Sequence, residues 1–261
     1  MEYTTFVKRA GLLLGVAAAG LTLVPGSLLA QARGGAATPP TVRAAAPSDY
    51  TGYWVSQIVD EWRFRVDPQK RDIPYLPLNA EARKVANAWD PEKDIADGNE
   101  CRAYGAVGVM QRPGRLHISW VDDNTLKIDA DAGTQTRLLH FGAMAKPAGE
   151  AGWQGYSHAE WDIPRVGRGA AATPLRGANT LKVVTTNMKP GYIRKNGVPY
   201  SANAVLTEYF NLVTGPTAQP YIAVTAFVED PMYLTGPFIR TYTFKKQDDA
   251  AGWDPTPCWA R

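Results

Sequence analysis

Residues 115–141 have the sequence RLHISWVDDNTLKIDADAGTQTRLLHF and carry the clearest structural pattern in the chain. Apolar residues occupy every second position, as strands with one buried face require. They are Leu116, Ile118, Trp120, Leu126, Ile128 and Ala130. Asp122-Asp123-Asn124 interrupts the pattern as a turn, and Ala132-Gly133-Thr134 leads into a third run at Thr136–Phe141. The segment therefore predicts three strands joined by tight antiparallel turns.

Similar runs, bounded by Gly or Pro, occur on both sides of this segment. They predict strands at Tyr53–Val66, His158–Ile163, Leu181–Met188, Ala204–Val213, Tyr221–Glu229 and Phe238–Lys245. Lys195-Asn196-Gly197-Val198 indicates a further hairpin, because Asn-Gly tolerates the positive φ angles of a type I′ turn. One helix is predicted at Asn79–Trp89, where Asn79 can cap the first turn and Pro91 follows the end.

About eight to ten short strands and one short helix indicate a mainly β fold. Sequential hairpins of this kind favour a closed antiparallel up-and-down barrel, since closure removes the exposed strand edges. A β-sandwich is the alternative. Residues 49–261 show no composition shift or internal repeat, so we predict a single domain there. Residues 33–48 are small, Pro-rich and Gly-rich, and are predicted to be a disordered lead-in.

The first 32 residues have the features of a cleavable export signal. Lys8-Arg9 precedes an apolar run at 10–24, and Ala30-Gln31-Ala32 has the small-x-small spacing of a signal peptidase site. We predict cleavage after Ala32, with Ala30 as second choice, and a periplasmic or secreted protein with no stable membrane span. An uncleaved anchor is the alternative, although the run is short for a hydrocarbon core of ~30 Å.

The charge of the chain argues against a nucleic-acid partner. The 28 basic and 25 acidic residues give a formal net charge of +3 at pH 7. Their signs are interspersed, whereas nucleic-acid-binding domains carry a basic stripe or patch.

Cys101 and Cys258 are the two cysteines of the chain. In an exported protein an even pair predicts a disulfide, here one that closes a long loop. Two free thiols are the alternative. A metal site is disfavoured, because neither cysteine has a second cysteine or a histidine at ligand spacing.

Recognised catalytic and cofactor motifs do not occur in the sequence. The serines lack a Gly-x-Ser-x-Gly context, and the glycines form no phosphate-binding or dinucleotide fingerprint. His117, His140 and His158 lie on predicted strands, but their spacing matches no zinc motif. We therefore predict no metal and no cofactor.

Glu208 is the most informative charged residue. It alternates in step with Leu206 and Phe210, so it falls on an apolar face. Arg240 likewise shares a face with Tyr242 on the last predicted strand. An isolated buried charge costs several kcal/mol, so an inward Glu208 needs a partner. One hypothesis is that Glu208 and Arg240 line a cavity and bind or polarise a ligand. The alternatives are a structural ion pair and a bulge that returns Glu208 to solvent.

Aromatic residues on predicted strands and hairpins supply further candidate ligand contacts, since small-molecule cavities are lined by such groups. With Glu208 and Arg240, the candidate ligand-binding set is Trp62, Trp120, Tyr192, Tyr209 and Tyr242. Bulky core filling is the alternative for the same aromatic residues.

Gly52-Tyr53-Trp54, at the start of the first strand, resembles the Gly-x-Trp signature of lipocalins. In that family the tryptophan closes one end of the barrel and packs against an arginine of the last strand. The resemblance implies that Trp54 has this structural role and that Arg240 is the matching arginine. The Thr-Asp-Tyr loop of lipocalins is absent.

Most of the mature chain also resembles a family of exported bacterial proteins with a lipocalin-like β-barrel. The shared elements are Cys101 with the apolar run after it, Trp161, residues 179–184, Gly197-x-Pro199-x-Ser201, Glu208-x-Phe210, Glu229-Asp230-Pro231 and Tyr242-Thr243-Phe244. Many relatives have a Gly-Arg-Pro-His element where this chain has His140-Phe141-Gly142, and an arginine in place of Tyr242. The resemblance implies the fold and an envelope location, and it supplies no reaction.

Together these features predict an envelope protein that binds a small hydrophobic or aromatic molecule in a lipocalin-like barrel. The first alternative is a cofactor-free lyase, isomerase or hydrolase that uses Glu208 as general acid or base. The second is an envelope interaction module whose barrel is filled by its own side chains.

Overall fold

A closed barrel of nine strands forms the body of the protein in the computed structural model, which describes residues 39–143, 149–169, 173–174, 180–214 and 219–261. The strands of these residues are β1 Gly52–Gln57, β2 Arg115–Trp120, β3 Thr125–Ala130, β4 Gln135–Phe141, β5 Tyr156–Asp162, β6 Arg165–Val166, β7 Thr173–Pro174, β8 Thr180–Thr186, β9 Gly191–Arg194, β10 Val198–Tyr200, β11 Val205–Val213, β12 Tyr221–Glu229 and β13 Phe238–Gln247. The order around the barrel is β1-β13-β12-β11-β8-β5-β4-β3-β2, and β6–β7 and β9–β10 form two small separate sheets. The predicted mainly β closed barrel is confirmed, and it fits a lipocalin-like fold.

One junction of the barrel breaks the antiparallel pattern. β4 and β5 run parallel, with Leu139 opposite Ser157 and Phe141 opposite Ala159. Parallel neighbours need a long connection, and in the sequence β4 ends at Phe141 and β5 begins only at Tyr156. The barrel is therefore mixed.

The core lies inside the barrel because each strand buries every second residue. On β12, for example, Ile222, Val224, Ala226 and Val228 are buried, and the residues between them are less so. β3, β8 and β11 have the same period of two. Removing these apolar side chains from water, at roughly 25 cal/mol per Å², is the main stabilisation of such a fold.

Short helices cover the end of the barrel at which β1 finishes. The described residues contain more than the single predicted helix: α1 Trp62–Arg65, α2 Ala80–Ala88, α3 Pro91–Ala96, a 3₁₀ helix Glu100–Tyr104 and α4 Ala106–Val109. The predicted helix is α2, and Asn79 Oδ1 caps it by accepting from the amide of Ala82 at 2.9 Å. The predicted hairpin joins β9 to β10, but its turn is not type I′, because Gly197 has φ 82° and Asn196 does not have positive φ. We call residues 58–112 and 191–200 the lid.

The strand predicted at Tyr53–Val66 is shorter in the structure and ends at Gln57. Glu61 has a left-handed backbone, with φ 46°, which ends the extended run before α1. Arg65 then turns back, and its guanidinium donates to the carbonyls of Gln111 at 3.2 Å and Gln57 at 3.4 Å. Residues 58–66 thus belong to the lid and not to the barrel wall.

Trp54 is buried beside a lysine and not beside the expected Arg240. Its indole N–H donates to the carbonyl of Tyr50 at 2.9 Å. Lys246, its partner in register on β13, places Nζ 4.5 Å from the ring centroid of Trp54. Arg240 lies nearer the other end of β13 and pairs with Glu61. Lys246 thus occupies the position beside Trp54 for which the resemblance implied Arg240.

Cys101 and Cys258 form the predicted disulfide, with their Cα atoms 5.1 Å apart and a separation of 157 positions in sequence. The bond joins the 3₁₀ helix of the lid to the C-terminal tail, residues 248–261. The tail is also held by Thr256, whose amide donates to the carbonyl of Asp131 at 2.9 Å and whose carbonyl accepts from Thr134 Oγ1 at 2.8 Å. The tail is thus fixed to both lid and barrel.

The predicted signal, residues 1–32, and the first part of the lead-in lie outside the described residues. The described end of the lead-in contains turns, although disorder was predicted as far as residue 48. The amide of Arg43 donates to the carbonyl of Asp123 at 3.0 Å, and that of Ala45 to Thr41 at 2.9 Å. No helix within the described residues is both long and apolar enough to cross a membrane.

Candidate functional site

Glu208 and Arg137 form an ion pair inside the barrel. Glu208 points inward from β11, as the alternation predicts, and Arg137 reaches it from β4. Arg137 Nη2 lies 2.6 Å from Glu208 Oε2, and Nη1 lies 3.2 Å from Oε1. The side chains are 2% and 1% exposed. A buried pair of this kind depends on good geometry, and the bidentate contact supplies it.

The ion pair continues into a chain of hydroxyl groups. Arg137 Nη2 also donates to Thr185 Oγ1 at 3.3 Å, and Thr185 Oγ1 lies 2.8 Å from Ser157 Oγ. These four polar side chains come from β4, β5, β8 and β11, so the network connects four strands across the interior. Both carboxylate oxygens of Glu208 are occupied by the guanidinium, and this arrangement fixes the carboxylate in place.

Arg240 pairs with Glu61 of the lid and not with Glu208. Arg240 Nε lies 2.6 Å from Glu61 Oε2, and Arg194 Nη2 lies 3.3 Å from the other oxygen. In register, Ala226 stands between Glu208 and Arg240, so strands ~4.8 Å apart separate the two backbones by about 10 Å. Arg240 is 26% exposed at the rim, where Glu61 offers the nearer carboxylate. The hypothesis of a Glu208–Arg240 pair is corrected accordingly.

Trp62 and Tyr209, two of the predicted ligand contacts, lie on the outside of the molecule. Trp62 is on α1 of the lid and is 70% exposed. Tyr209 projects from the outer wall of β11 and packs edge-on against Phe227 at 5.8 Å. The structure does not bring either residue to the barrel interior.

Tyr192 and Tyr242 lie on the lid side of the barrel, in separate surroundings. The hydroxyl of Tyr192 donates to Asp94 at 2.9 Å and accepts from Arg102 at 3.2 Å, and burial raises its pKa to about 12. Tyr242 is buried beneath Arg65, whose guanidinium carbon lies 5.3 Å from the ring centroid. Burial raises the pKa of Tyr242 well above its ordinary value. The predicted ligand set therefore does not converge on one cavity.

Tyr50, Trp120, Phe141 and Trp161 form a continuous run of rings at the end of the barrel opposite the lid, which we call the aromatic end. The ring centroids of Trp120 and Phe141 are 5.5 Å apart, those of Phe141 and Trp161 5.7 Å, and those of Trp161 and Tyr50 6.0 Å. Tyr50 is buried, its hydroxyl donates to the carbonyl of Phe210 at 2.8 Å, and burial raises its pKa to about 12. The other three rings are only partly buried against the core.

A polar group without a partner lies within this run of rings. The indole Nε1 of Trp161 is buried and has no hydrogen-bond acceptor among the described residues. An open cavity of about 260 Å³ lies beside Trp120, and Trp161 is not among the residues that line it. The cavity is lined by Arg43, Ala46, Ser48, Asp49, Thr51 and Trp120. The aromatic end thus has a free donor, the indole N–H of Trp161, within its run of rings. Next to Trp120 it has a cavity with a largely polar lining.

The three histidines do not come together. His117 stacks on Tyr53 with ring centroids 4.3 Å apart, and His140 stacks on Tyr156 at 5.1 Å. His158 is nearly buried on β5. Across the described ranges, no group of three or more His, Cys, Asp or Glu residues is arranged to hold a metal ion.

Sequence reasoning missed Arg137, Phe141 and Trp161. The signals for them were present in the alternation, because Arg137 and Phe141 share a face with Leu139 on β4, and Trp161 shares one with Ala159 on β5. Of the predicted ligand contacts, Trp120 alone lies at the aromatic end.

Comparison of the chain with protein-family models, with curated proteins and with solved structures finds no match.

Proposed function

We propose that this protein is an exported lipocalin-like barrel that binds a small, flat apolar molecule of one or two aromatic rings at its aromatic end. The observation that carries the proposal is the buried indole N–H of Trp161, which lacks an acceptor among the described residues. A buried donor without a partner costs about 1–3 kcal/mol, and a ligand acceptor would remove this cost. The ligand class is therefore an aromatic molecule with one hydrogen-bond acceptor.

The shape and lining of the aromatic end support this ligand class. Ligand sites combine aromatic walls with a few placed polar groups and have volumes of roughly 300–1,000 Å³. The cavity beside Trp120, of about 260 Å³, lies just below that range and suits a small molecule. Arg43, Asp49 and Thr51 supply polar groups at its rim.

The surroundings of Glu208 favour a structural role over a catalytic one. A general acid or base must come within hydrogen-bond reach of its substrate. Glu208 is 1% exposed and both of its oxygens contact Arg137, so a substrate would have to displace the core. The filled interior around Glu208 also suits the interaction-module alternative, which the following binding experiment separates from our proposal.

Replacing Trp161 by phenylalanine should weaken quinoline binding by roughly 2- to 10-fold, the value of one hydrogen bond. Quinoline and naphthalene have the same shape, but only the quinoline nitrogen accepts from the indole N–H. The substitution keeps a ring in place and removes the donor, so naphthalene affinity should stay within about 2-fold, because no hydrogen bond to it is lost. Isothermal titration calorimetry with both compounds measures the difference.

Two further variants frame this experiment. Trp120→Ala removes an aromatic wall and should weaken both compounds by about 10-fold or more. Trp62→Phe changes an exposed ring of the lid and should leave both affinities unchanged. If neither quinoline nor naphthalene binds to the wild-type protein, the proposal is contradicted and the filled-barrel alternative is favoured.

Export is supported by the signal pattern of residues 1–32 and by the disulfide, since such bonds persist in oxidising compartments. We expect the mature protein from the periplasm to begin at Arg33, or at Gln31 if the second site is used. N-terminal sequencing reads this directly. An intact Met1 or Glu2 terminus in the membrane fraction would indicate an uncleaved anchor instead.

A further inference from the structure

Arg112 and Lys195 are cationic side chains of the lid that have no ion-pair partner among the described residues. The neighbouring arginines are all paired: Arg63 with Asp72, Arg65 with Asp60, and both Arg194 and Arg240 with Glu61. Gln111 Nε2 donates to the carbonyl of Ile193 at 2.6 Å, so the segment that carries Arg112 lies against the segment that carries Lys195.

Arg112 is 4% exposed, just after the end of α4. The groups that act on its charge are Tyr104, Tyr242 and Arg65. None of these is an anion near neutral pH, because burial raises the pKa of both tyrosines. Burial lowers the pKa of Arg112 to about 10, because it disfavours the charged form of the guanidinium. A buried guanidinium without an anion is costly, which makes this residue unusual.

The unpartnered atoms of Arg112 have a specific geometry. Nε and Nη2 are both buried and have no hydrogen-bond partner within the described part of the chain. These two nitrogens form one edge of the guanidinium plane, and their N–H bonds point in the same direction. That edge donates two parallel hydrogen bonds to a carboxylate or a phosphate when one is present.

Lys195 supplies the second charge and an approach from solvent. It lies in the turn between β9 and β10, and its Nζ is 5.9 Å from the ring centroid of Tyr104. Burial and then the charge of Arg112 lower the pKa of Lys195 to about 8, and the carboxylate of Asp67 acts in the opposite direction. Lys195 is half-buried, so its side of the pair is the one that faces solvent.

We propose that Arg112 and Lys195 form a binding site for a small dianionic oxyanion of the phosphate type. The open edge of Arg112 matches two oxygens of such an anion, and the ammonium of Lys195 adds a point charge. Two cations without an ion-pair partner favour an anion that carries more than one negative charge. A phosphate group supplies nearly two near neutral pH, whereas one carboxylate supplies one. The site is separate from the aromatic end and independent of the ligand proposed there.

Thermal unfolding of the mature protein in phosphate and in chloride, at pH 7.5 and equal ionic strength, tests the site. Wild type should melt about 5 °C higher in 50 mM phosphate than in chloride, the stabilisation expected of a site with Kd on the order of 1 mM. Arg112→Met should melt at or above wild type in chloride, because the uncompensated charge is gone. Its gain in phosphate should fall to about that of a general salt effect.

Further variants and anions complete the test. Lys195→Met should lose part of the phosphate gain, and it replaces Arg112→Met if that variant fails to fold. Lys189→Met, which changes an exposed lysine, should keep the full gain. Acetate should stabilise wild type by less than half as much as phosphate. Phenyl phosphate separates the two sources of the anion: a comparable gain means that the site accepts a phosphate carried by an organic molecule, and no gain means that it accepts the free ion.

Two results would overturn the proposal. The first is an equal phosphate gain in wild type, Arg112→Met and Lys195→Met, since phosphate would then act on the protein only as a general salt. The second is an Arg112-dependent gain in acetate as large as that in phosphate, which would exclude a dianion site.

Discussion

Replacing Glu208 with alanine is expected to lower the free energy of unfolding by about 3–5 kcal/mol. The substitution leaves Arg137, which is 2% exposed, as a buried guanidinium without its carboxylate. Arg137→Ala should cost a similar amount, because Glu208 then loses both of its hydrogen bonds from the guanidinium. Urea unfolding of each variant, followed by fluorescence or circular dichroism, measures the change.

An exposed ion pair between β5 and β8, two of the four strands that the buried network connects, provides a matched control. Glu160 on β5 lies 2.8 Å from Lys182 on β8, with side chains 53% and 31% exposed. Glu160→Ala should cost less than about 1 kcal/mol. The double variant Arg137→Met/Glu208→Leu removes both charges of the buried pair and should be close to wild type in stability. A cost for Glu208→Ala no larger than that of Glu160→Ala would show that the buried pair contributes little.

Breaking the disulfide by Cys258→Ser should lower the free energy of unfolding by about 4–5 kcal/mol, the loop-entropy value for a loop of well over 100 residues. The bond links residues 157 positions apart, so the unfolded chain gains much freedom when it is lost. The same urea experiment, performed without reductant, measures the change.

Two comparisons separate the effect of the bond from that of the serine side chain. Wild-type protein in excess reductant should match Cys258→Ser, and the double variant Cys101→Ser/Cys258→Ser should match both. The folded tail should stay in place in all three, because Thr256 keeps its hydrogen bonds to Asp131 and Thr134. A change below about 1 kcal/mol would contradict the loop-entropy argument.

Local periodicity was enough to predict most of the barrel, because each of its strands buries one face. The hairpins of residues 115–141 and the long strands β11, β12 and β13 are examples. The lid was mostly missed. α1 and α4 have four residues each, about one helical turn, so no repeating apolar face exists in their sequence.

The candidate sites required information that local sequence does not contain. Alternation placed Glu208 inward, but its partner depends on which strands face each other across the barrel. Arg137 comes from β4, and the parallel β4–β5 junction helps to set that position. Likewise, Tyr50 and Trp161 meet only because the chain before β1 folds over the aromatic end. Strand order and chain crossings decide such contacts, and neither follows from a period of two.

Closure of the barrel has a consequence for the order in which the protein folds. β1 pairs with β2 on one side and with β13 on the other, and Tyr53 lies opposite Gln247. The edge of β1 that pairs with β13 therefore stays uncovered until β13, the last strand, has formed. Contacts between residues so far apart in sequence slow folding. In a newly made chain one edge of β1 thus stays uncovered until nearly all of the protein has been synthesised.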